Sequence, residues 1–192
     1  GYIIGGASDS GISGDKTENR VGATGTSDYW VVKLDTLGNI VWQNTIGGSL
    51  YDDLTSLEQT NDGGYIVGGI SSSGISGDKT ESSMGGSDYW IIKLTITGNV
   101  EWQNTIGGSA NDALYDLHQT MDGGYIVGGS SSSGITGDKT EEMLGGYVGD
   151  YWVVKLDASG LIIWQNTIGS NGNDDLQSVW QTSDGGYILG GY

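Results

Sequence analysis

Residues 62–109 read DGGYIVGGISSSGISGDKTESSMGGSDYWIIKLTITGNVEWQNTIGGS, and most of this stretch appears three times in the chain. GYIVGG at 64 returns as GYIVGG at 124, GYIIGG at 1 and GYILGG at 186. DYWIIKL at 88 matches DYWVVKL at 28 and at 150. EWQNTIGGS at 101 matches VWQNTIGGS at 41 and IWQNTIGSN at 163. SGISGDKTE at 73 matches SGISGDKTE at 10 and SGITGDKTE at 133. Self-similarity at a fixed period of about 60 residues marks an array of identical supersecondary units.

Each unit reads as four short strands. DLTSLEQT (53–60) comes first, and an Asp-Gly turn follows it. Asp-Gly is a strong hairpin signal because both residues tolerate positive φ. YIVGGIS (65–71) is second, and a long Gly/Ser loop leads to DYWIIKLT (88–95). The turn ITGN then leads to VEWQNTI (100–106). The YWIIKL run is apolar on both faces apart from its lysine, which predicts a strand covered on both sides. In the first strand Leu54 and Leu57, Leu114 and Leu117, and Leu176 and Val179 sit three apart, a spacing that also fits one helical turn. The segment is short and runs straight into a hairpin, so a strand is the reading taken.

The chain has 192 residues, 37 Gly, no Pro, no Phe and no Cys. That length supports one compact domain burying roughly 70% of its unfolded surface. Gly with Trp and Tyr, and few helix formers, points to strands and turns. Without Cys there is no disulfide, thiolate metal site or thiol nucleophile. A formal net charge of −17 repels phosphate backbones and anionic membrane surfaces, so nucleic acid is not expected as a partner. No apolar run reaches the roughly 18 residues of a membrane helix, so membrane insertion is not expected either.

The expected fold is all-β: a β-propeller-like stack of four-stranded antiparallel blades, three repeats plus one extra strand. The units are 1–63, 64–123 and 124–185, with the extra strand at 186–192, in a single repeat domain over 1–192. A three-fold β-trefoil or β-prism is the competing arrangement. Six of the seven Trp fill two repeat slots: Trp30, Trp90 and Trp152, then Trp42, Trp102 and Trp164. The six Lys do likewise: Lys33, Lys93 and Lys155, then Lys16, Lys79 and Lys139. Such regularity reads as scaffold, with indole N–H groups finding partners and lysines pairing with carboxylates or laying their stems on apolar surface. Three blades fall below the usual four to eight. The ends therefore imply an arc of a larger ring, two chains combining to about six blades, or end-to-end strand pairing.

Together, DGGYIVGG, SGDKTE, GGSDYWIIKL and GNVEWQNTIGGS resemble the tandem β-propeller-type repeats of secreted surface proteins in flavobacteria and their relatives. The resemblance covers essentially the whole chain. It implies propeller blades, extracellular or cell-surface location, and no catalytic residues to carry over. It also implies a piece of something longer, since the signal and sorting regions of a full-length relative are absent here.

Chemistry is sparse. His118 is the single His, and it fills the slot that holds Glu58 and Trp180 in the other repeats. A slot accepting Glu, His and Trp is no fixed catalytic position, and nothing resembles G-x-S-x-G. Varied residues on a repeated scaffold are instead how binding surfaces arise, so Glu58, His118 and Trp180 are candidate ligand contacts. The adjacent pairs Asp52/Asp53 and Asp174/Asp175 face opposite ways on a strand and cannot flank one glycosidic bond. No glycine-rich phosphate loop is present. Calcium is the ion that the loop carboxylates admit, through Asp15 and Glu18, Asp78 and Glu81, and Asp138 and Glu141. Yet the EF-hand pattern is missing and the intervening Lys lowers the local charge. The plainer reading is a locally balanced turn, pinned by Ile12, Ile75 and Ile135. From the Gly of GDKTE to the Asp of DYW the intervals are 14, 11 and 13 residues, so most length variation falls there. Long variable loops commonly carry recognition, which nominates Arg20, Met84, Leu144 and Tyr147. The expected function is a non-enzymatic extracellular scaffold for adhesion, protein interaction or assembly, including self-association through the chain ends. A carbohydrate-binding lectin module is the second expectation and a hydrolase the third.

Overall fold

In the computed structural model, which describes residues 1–146 and 148–192, thirteen β-strands and no helix are found among the described residues. They are β1 (Tyr2–Ser8), β2 (Asp28–Leu34), β3 (Ile40–Ile46), β4 (Asp52–Gln59), β5 (Tyr65–Ser71), β6 (Asp88–Leu94) and β7 (Val100–Ile106). The remainder are β8 (Asp112–Gln119), β9 (Tyr125–Ser131), β10 (Asp150–Leu156), β11 (Ile162–Ile168), β12 (Leu176–Gln181) and β13 (Tyr187–Gly191). Two complete four-stranded sheets have the orders β4-β5-β6-β7 and β8-β9-β10-β11. A three-stranded sheet, β1-β2-β3, precedes them, and the hairpin β12-β13 follows. All strand pairings among the described residues are antiparallel, the four-stranded sheets are consistent with repeated propeller blades, and no closed barrel of the trefoil kind is formed among them. The sequence period counted from GYI-GG and the sheet boundaries differ in phase. β4 closes the first sequence unit but opens the second sheet, and the final GYILGG strand pairs back onto β12.

The three-residue leucine spacing has a specific cause. The register of β4 on β5 shifts between Leu54 and Ser56, that of β8 on β9 between Leu114 and Asp116, and that of β12 on β13 between Leu176 and Ser178. An extra residue in a strand turns positions three apart onto one face, so Leu114 and Leu117 both reach the core. The hairpin turns also differ from expectation in detail. Gly63, Gly123 and Gly185 take φ near +85° (84, 82 and 88), but no non-Gly residue among the described residues has positive φ. Asp62 acts through its carboxylate instead, accepting from Thr60 Oγ1 at 2.5 Å and from Gly64 N at 2.9 Å.

The sheets stack face to face. The Tyr89/Ile91 face of β6 packs toward Trp152, Val154 and Leu156 of β10, while its Trp90/Ile92/Leu94 face packs toward Tyr29 and Val31 of β2. Tyr29 donates its hydroxyl to Trp90 O at 3.0 Å, and Tyr89 donates to Trp152 O at 3.0 Å. The outer tryptophans bridge sheets too: Trp42 meets Tyr65 at 5.6 Å between ring centroids, and Trp102 meets Tyr125 at 5.7 Å. Lys93 pairs with Asp62 at 2.8 Å and Lys155 with Asp122 at 3.1 Å, while Lys33 lies over the Tyr65 ring. The strand lysines thus serve the scaffold as their regularity implied. β4, β8 and β12 are neighbours in space and form the inner edge of the stack.

Candidate functional site

Strand direction divides each sheet into two ends. Asp52, Ser71 and Asp88 are paired at one end, next to the long loop. Gln59, Tyr65 and Leu94 meet at the other, next to the Asp-Gly hairpin. The two groups of candidate residues fall at opposite ends.

At the loop end the GDKTE residues are used by the fold. Lys79 is 1% exposed, donates to Thr105 Oγ1 at 2.8 Å and lies 4.9 Å from the Trp90 ring centroid. Lys139 repeats this with Thr167 at 2.7 Å and Trp152, and Lys16 is buried beside Trp30. Burial lowers the Lys79 ammonium to about 8, against the opposing pull of Asp52 and Asp88. Asp78 reaches the preceding sheet, where its carboxylate accepts from Gly47 N at 3.2 Å, and Asp138 does the same with Gly107. Glu81 accepts from Thr105 N and Glu141 from Thr167 N, on the outer strand of their own sheets. Glu18 likewise holds Thr45 N, and Asp15 gives its backbone carbonyl to Gln43. Five of the six carboxylates considered as calcium ligands, those of Glu18, Asp78, Glu81, Asp138 and Glu141, are therefore directed at separate backbone amides. Among the described residues no three or more His, Cys, Asp or Glu cluster as a metal site.

The loop residues expected at a recognition surface also have structural neighbours. Met84 donates its amide to Asp88, and a side chain at Gly137 of the next sheet's loop would collide with its sulfur. Val21 holds the same slot one repeat earlier, against Gly77, and Leu144 holds it one repeat later. Sequence reading named Arg20 here and missed Val21. Arg20 turns into its own loop, donating to Asp9 O at 2.9 Å and Thr24 Oγ1 at 2.7 Å. Leu144 remains exposed, and Tyr147 lies outside the described residues. Asp52 is buried, accepting from Ser71, Ser73 and Gly48, whereas Asp53 accepts from Ser27, so the pair does point two ways.

At the hairpin end, the varied slot comes together. Glu58 on β4, His118 on β8 and Trp180 on β12 line a cleft of about 260 Å³ with Asn61, Gln119 and Met121. The inner strands bring this about: the same position on three adjacent strands must meet at one place. His118 Nδ1 lies 3.4 Å from Glu58 Oε2, and its Nε2 lies 3.3 Å from Asp116 Oδ1. The imidazole packs edge-on to the Trp180 indole, 4.2 Å between centroids. Burial works against a charge on His118, but the Asp116 and Glu58 carboxylates outweigh it and raise the imidazole to about 9. Burial would lift Asp116, yet hydrogen bonds from His118, Val179 N and Ser178 hold it below the usual range. Asp116 thereby ties β8 to β12, accepting from Val179 N at 2.9 Å and Ser178 Oγ at 3.1 Å. Glu58 ties β4 to β8 by accepting from Gln119 N at 2.7 Å. Trp180 is 55% exposed and Met121 69%, so the rim presents apolar surface beside amides and a charged pair.

Sequence reading found Glu58, His118 and Trp180 but missed Asp116. The signal was there: its slot reads Ser56, Asp116 and Ser178, which is also a varied position. No helix among the described residues is long and apolar enough to cross a membrane. No protein-family model matches the chain. Over 116 residues, 58% of the chain, it is 27% identical to a protein of Caulobacter vibrioides named Regulatory protein FlaEY. The match spans 12% of that protein and gives no support to the flavobacterial surface-protein resemblance.

Proposed function

We propose that this chain is a non-enzymatic repeat scaffold that binds a protein partner at the inner-strand cleft. One observation carries the reading: a slot that differs in every repeat converges in space on a frame that is otherwise repeated. The frame residues Gln59, Gln119 and Gln181 each donate the side-chain amide to a turn carbonyl, that of Gly63, Gly123 or Gly185. Gln119 Oε1 accepts from Asn61 N and Gln181 Oε1 from Met121 N, both at 2.8 Å. An exposed Trp and Met beside a buried-edge ion pair is the composition of an interaction hot spot. A binding role also accords with the word "regulatory" in the name of the similar protein. Display outside the cell is part of the proposal and is supported by the repeat resemblance.

A second reading, a glycan site, is favoured by the Trp180 face standing beside Glu58 and the amides of Asn61 and Gln181. Two probes separate them. The wild-type chain and Trp180→Ala are applied in parallel to a glycan array and to immobilised surface proteins. Retention on protein that Trp180→Ala loses supports the scaffold reading. Array binding lost by the same variant supports the sugar reading. Equal retention of both chains everywhere rejects the cleft as the binding site.

A further inference from the structure

The two internal sheet junctions are near copies of one another. Tyr29 and Trp90 lie 5.0 Å apart at 43°, and Tyr89 and Trp152 lie 5.1 Å apart at 44°. The chain carries one unmatched half of this pair at each end. Trp30 on β2 is only partly buried and borders an open cleft of about 260 Å³, lined with Ile4, Gly6, Ala7 and Val32. Tyr151 on β10 faces the hairpin β12-β13, which brings no strand of the DYW type.

A glycine pattern points to the same gap. A side chain at Gly69, Gly129 or Gly191 would run into the carbonyl oxygen of Asp53, Ala113 or Asp175, each contributed by the inner strand or its approach. Gly6 is the same repeat position on β1, and there a Cβ would meet nothing within 4 Å. Its φ is not positive, so no turn demands glycine either. Gly6 is shaped for an inner strand that the β1-β2-β3 sheet does not contain.

We propose that this strand is β12 of a second copy of the chain, with β1 taking the place that β13 occupies. β1 (YIIGGAS) and β13 (YILGG) are the same repeat strand, and β1 is two residues longer. In the register that β13 uses, Leu176 falls opposite Gly6, Val179 opposite Ile4 and Gln181 opposite Tyr2. β1 brings two further strands with it. The exchange therefore sets Trp30 over Tyr151, gives the Tyr151 hydroxyl the Trp30 carbonyl, and covers Ile4, which is exposed in the single chain. The first twelve strands of each copy then form three complete sheets. The contact is head-to-tail: two copies that close give six sheets, within the usual range of propellers, and copies that do not close give longer assemblies. With −17 on each copy, added salt strengthens the association.

Light scattering across a concentration series, at low and high salt, tests this. The wild-type chain is expected at multiples of 20.1 kDa, with the associated fraction rising with concentration and salt. Gly6→Val meets open space within one copy, so it is expected to fold with an unchanged urea midpoint yet remain at the single-chain mass. Trp30→Ala is expected to shift the association several-fold toward single chains. A wild-type chain that stays at the single-chain mass throughout, or a Gly6→Val chain that associates like wild type, overturns the proposal.

Discussion

The two ends of the same sheets use their polar residues in opposite ways. At the loop end Lys79, Asp78 and Glu81 recur in each repeat, and each is bonded to backbone or to a neighbouring side chain. At the hairpin end Glu58, His118 and Trp180 differ in each repeat and border an open cleft. Charge is thus a poor guide to a site in this chain. Of the repeated charges, Asp78 and Asp138 reach the preceding sheet while Lys79 and Glu81 bond within their own, and it is the slot that breaks the repeat that borders the open cleft.

The first way to break this comparison is to remove what the loop end protects. Trp90→Ala takes a fully buried indole out of the junction and away from Lys79, and should cost about 4 kcal/mol in urea unfolding. A loss near that of an exposed residue would show the junction to be loose. Asp78→Ala removes the tie to Gly47 and should cost about 1 kcal/mol while leaving cleft binding unchanged.

Acidity sharpens the comparison, because the two ends titrate in different windows. Burial raises the Asp88 carboxyl at the loop end to about 6, above its ordinary 3.8. The folded state therefore holds that proton more tightly, and stability falls as pH rises from about 4 to about 6. Asp88→Asn should flatten that segment of a stability-against-pH curve. His118 is raised from 6.5 to about 9, so its contribution is fully present below 6.5 and disappears as pH rises through 9. The difference in stability between wild type and His118→Ala should shrink over that interval, as read from urea midpoints. A constant difference would mean that the two carboxylates do not hold the imidazolium. The smallest effect expected is that of a chelator. The carboxylates of Glu18, Asp78, Glu81, Asp138 and Glu141 are committed to backbone amides, so the melting midpoint should not move.

Much of the fold was legible because the repeat displays its own requirements. Strands, hairpins and both-face burial follow from DYWIIKL, Asp-Gly and the alternating pattern. The bulge after Leu54 was not legible, because a three-residue spacing is ambiguous until a partner strand fixes the register. The role of Asp62 was read as backbone permissiveness and proves to be carboxylate capping. At the site, repeat variation singled out Glu58, His118 and Trp180, and the structure brings them to one cleft. The loops were less legible, because variable length beside Met84 does not show that its side chain sits against Gly137 of the next sheet. Contacts between repeats are invisible when each repeat is read alone.

The most direct test of the central claim is one pair of urea unfolding curves, for Lys79→Ala and Trp180→Ala. Lys79 is 1% exposed, donates to Thr105 Oγ1 and lies beside the Trp90 ring, so its loss leaves a void and an unpaired buried hydroxyl and should cost about 3 kcal/mol. Trp180 is 55% exposed and contributes mainly its contact with His118, so its loss should cost about 1 kcal/mol. If Trp180→Ala proved as costly as Lys79→Ala, the varied slot would be part of the scaffold, and the division between the two ends would be wrong.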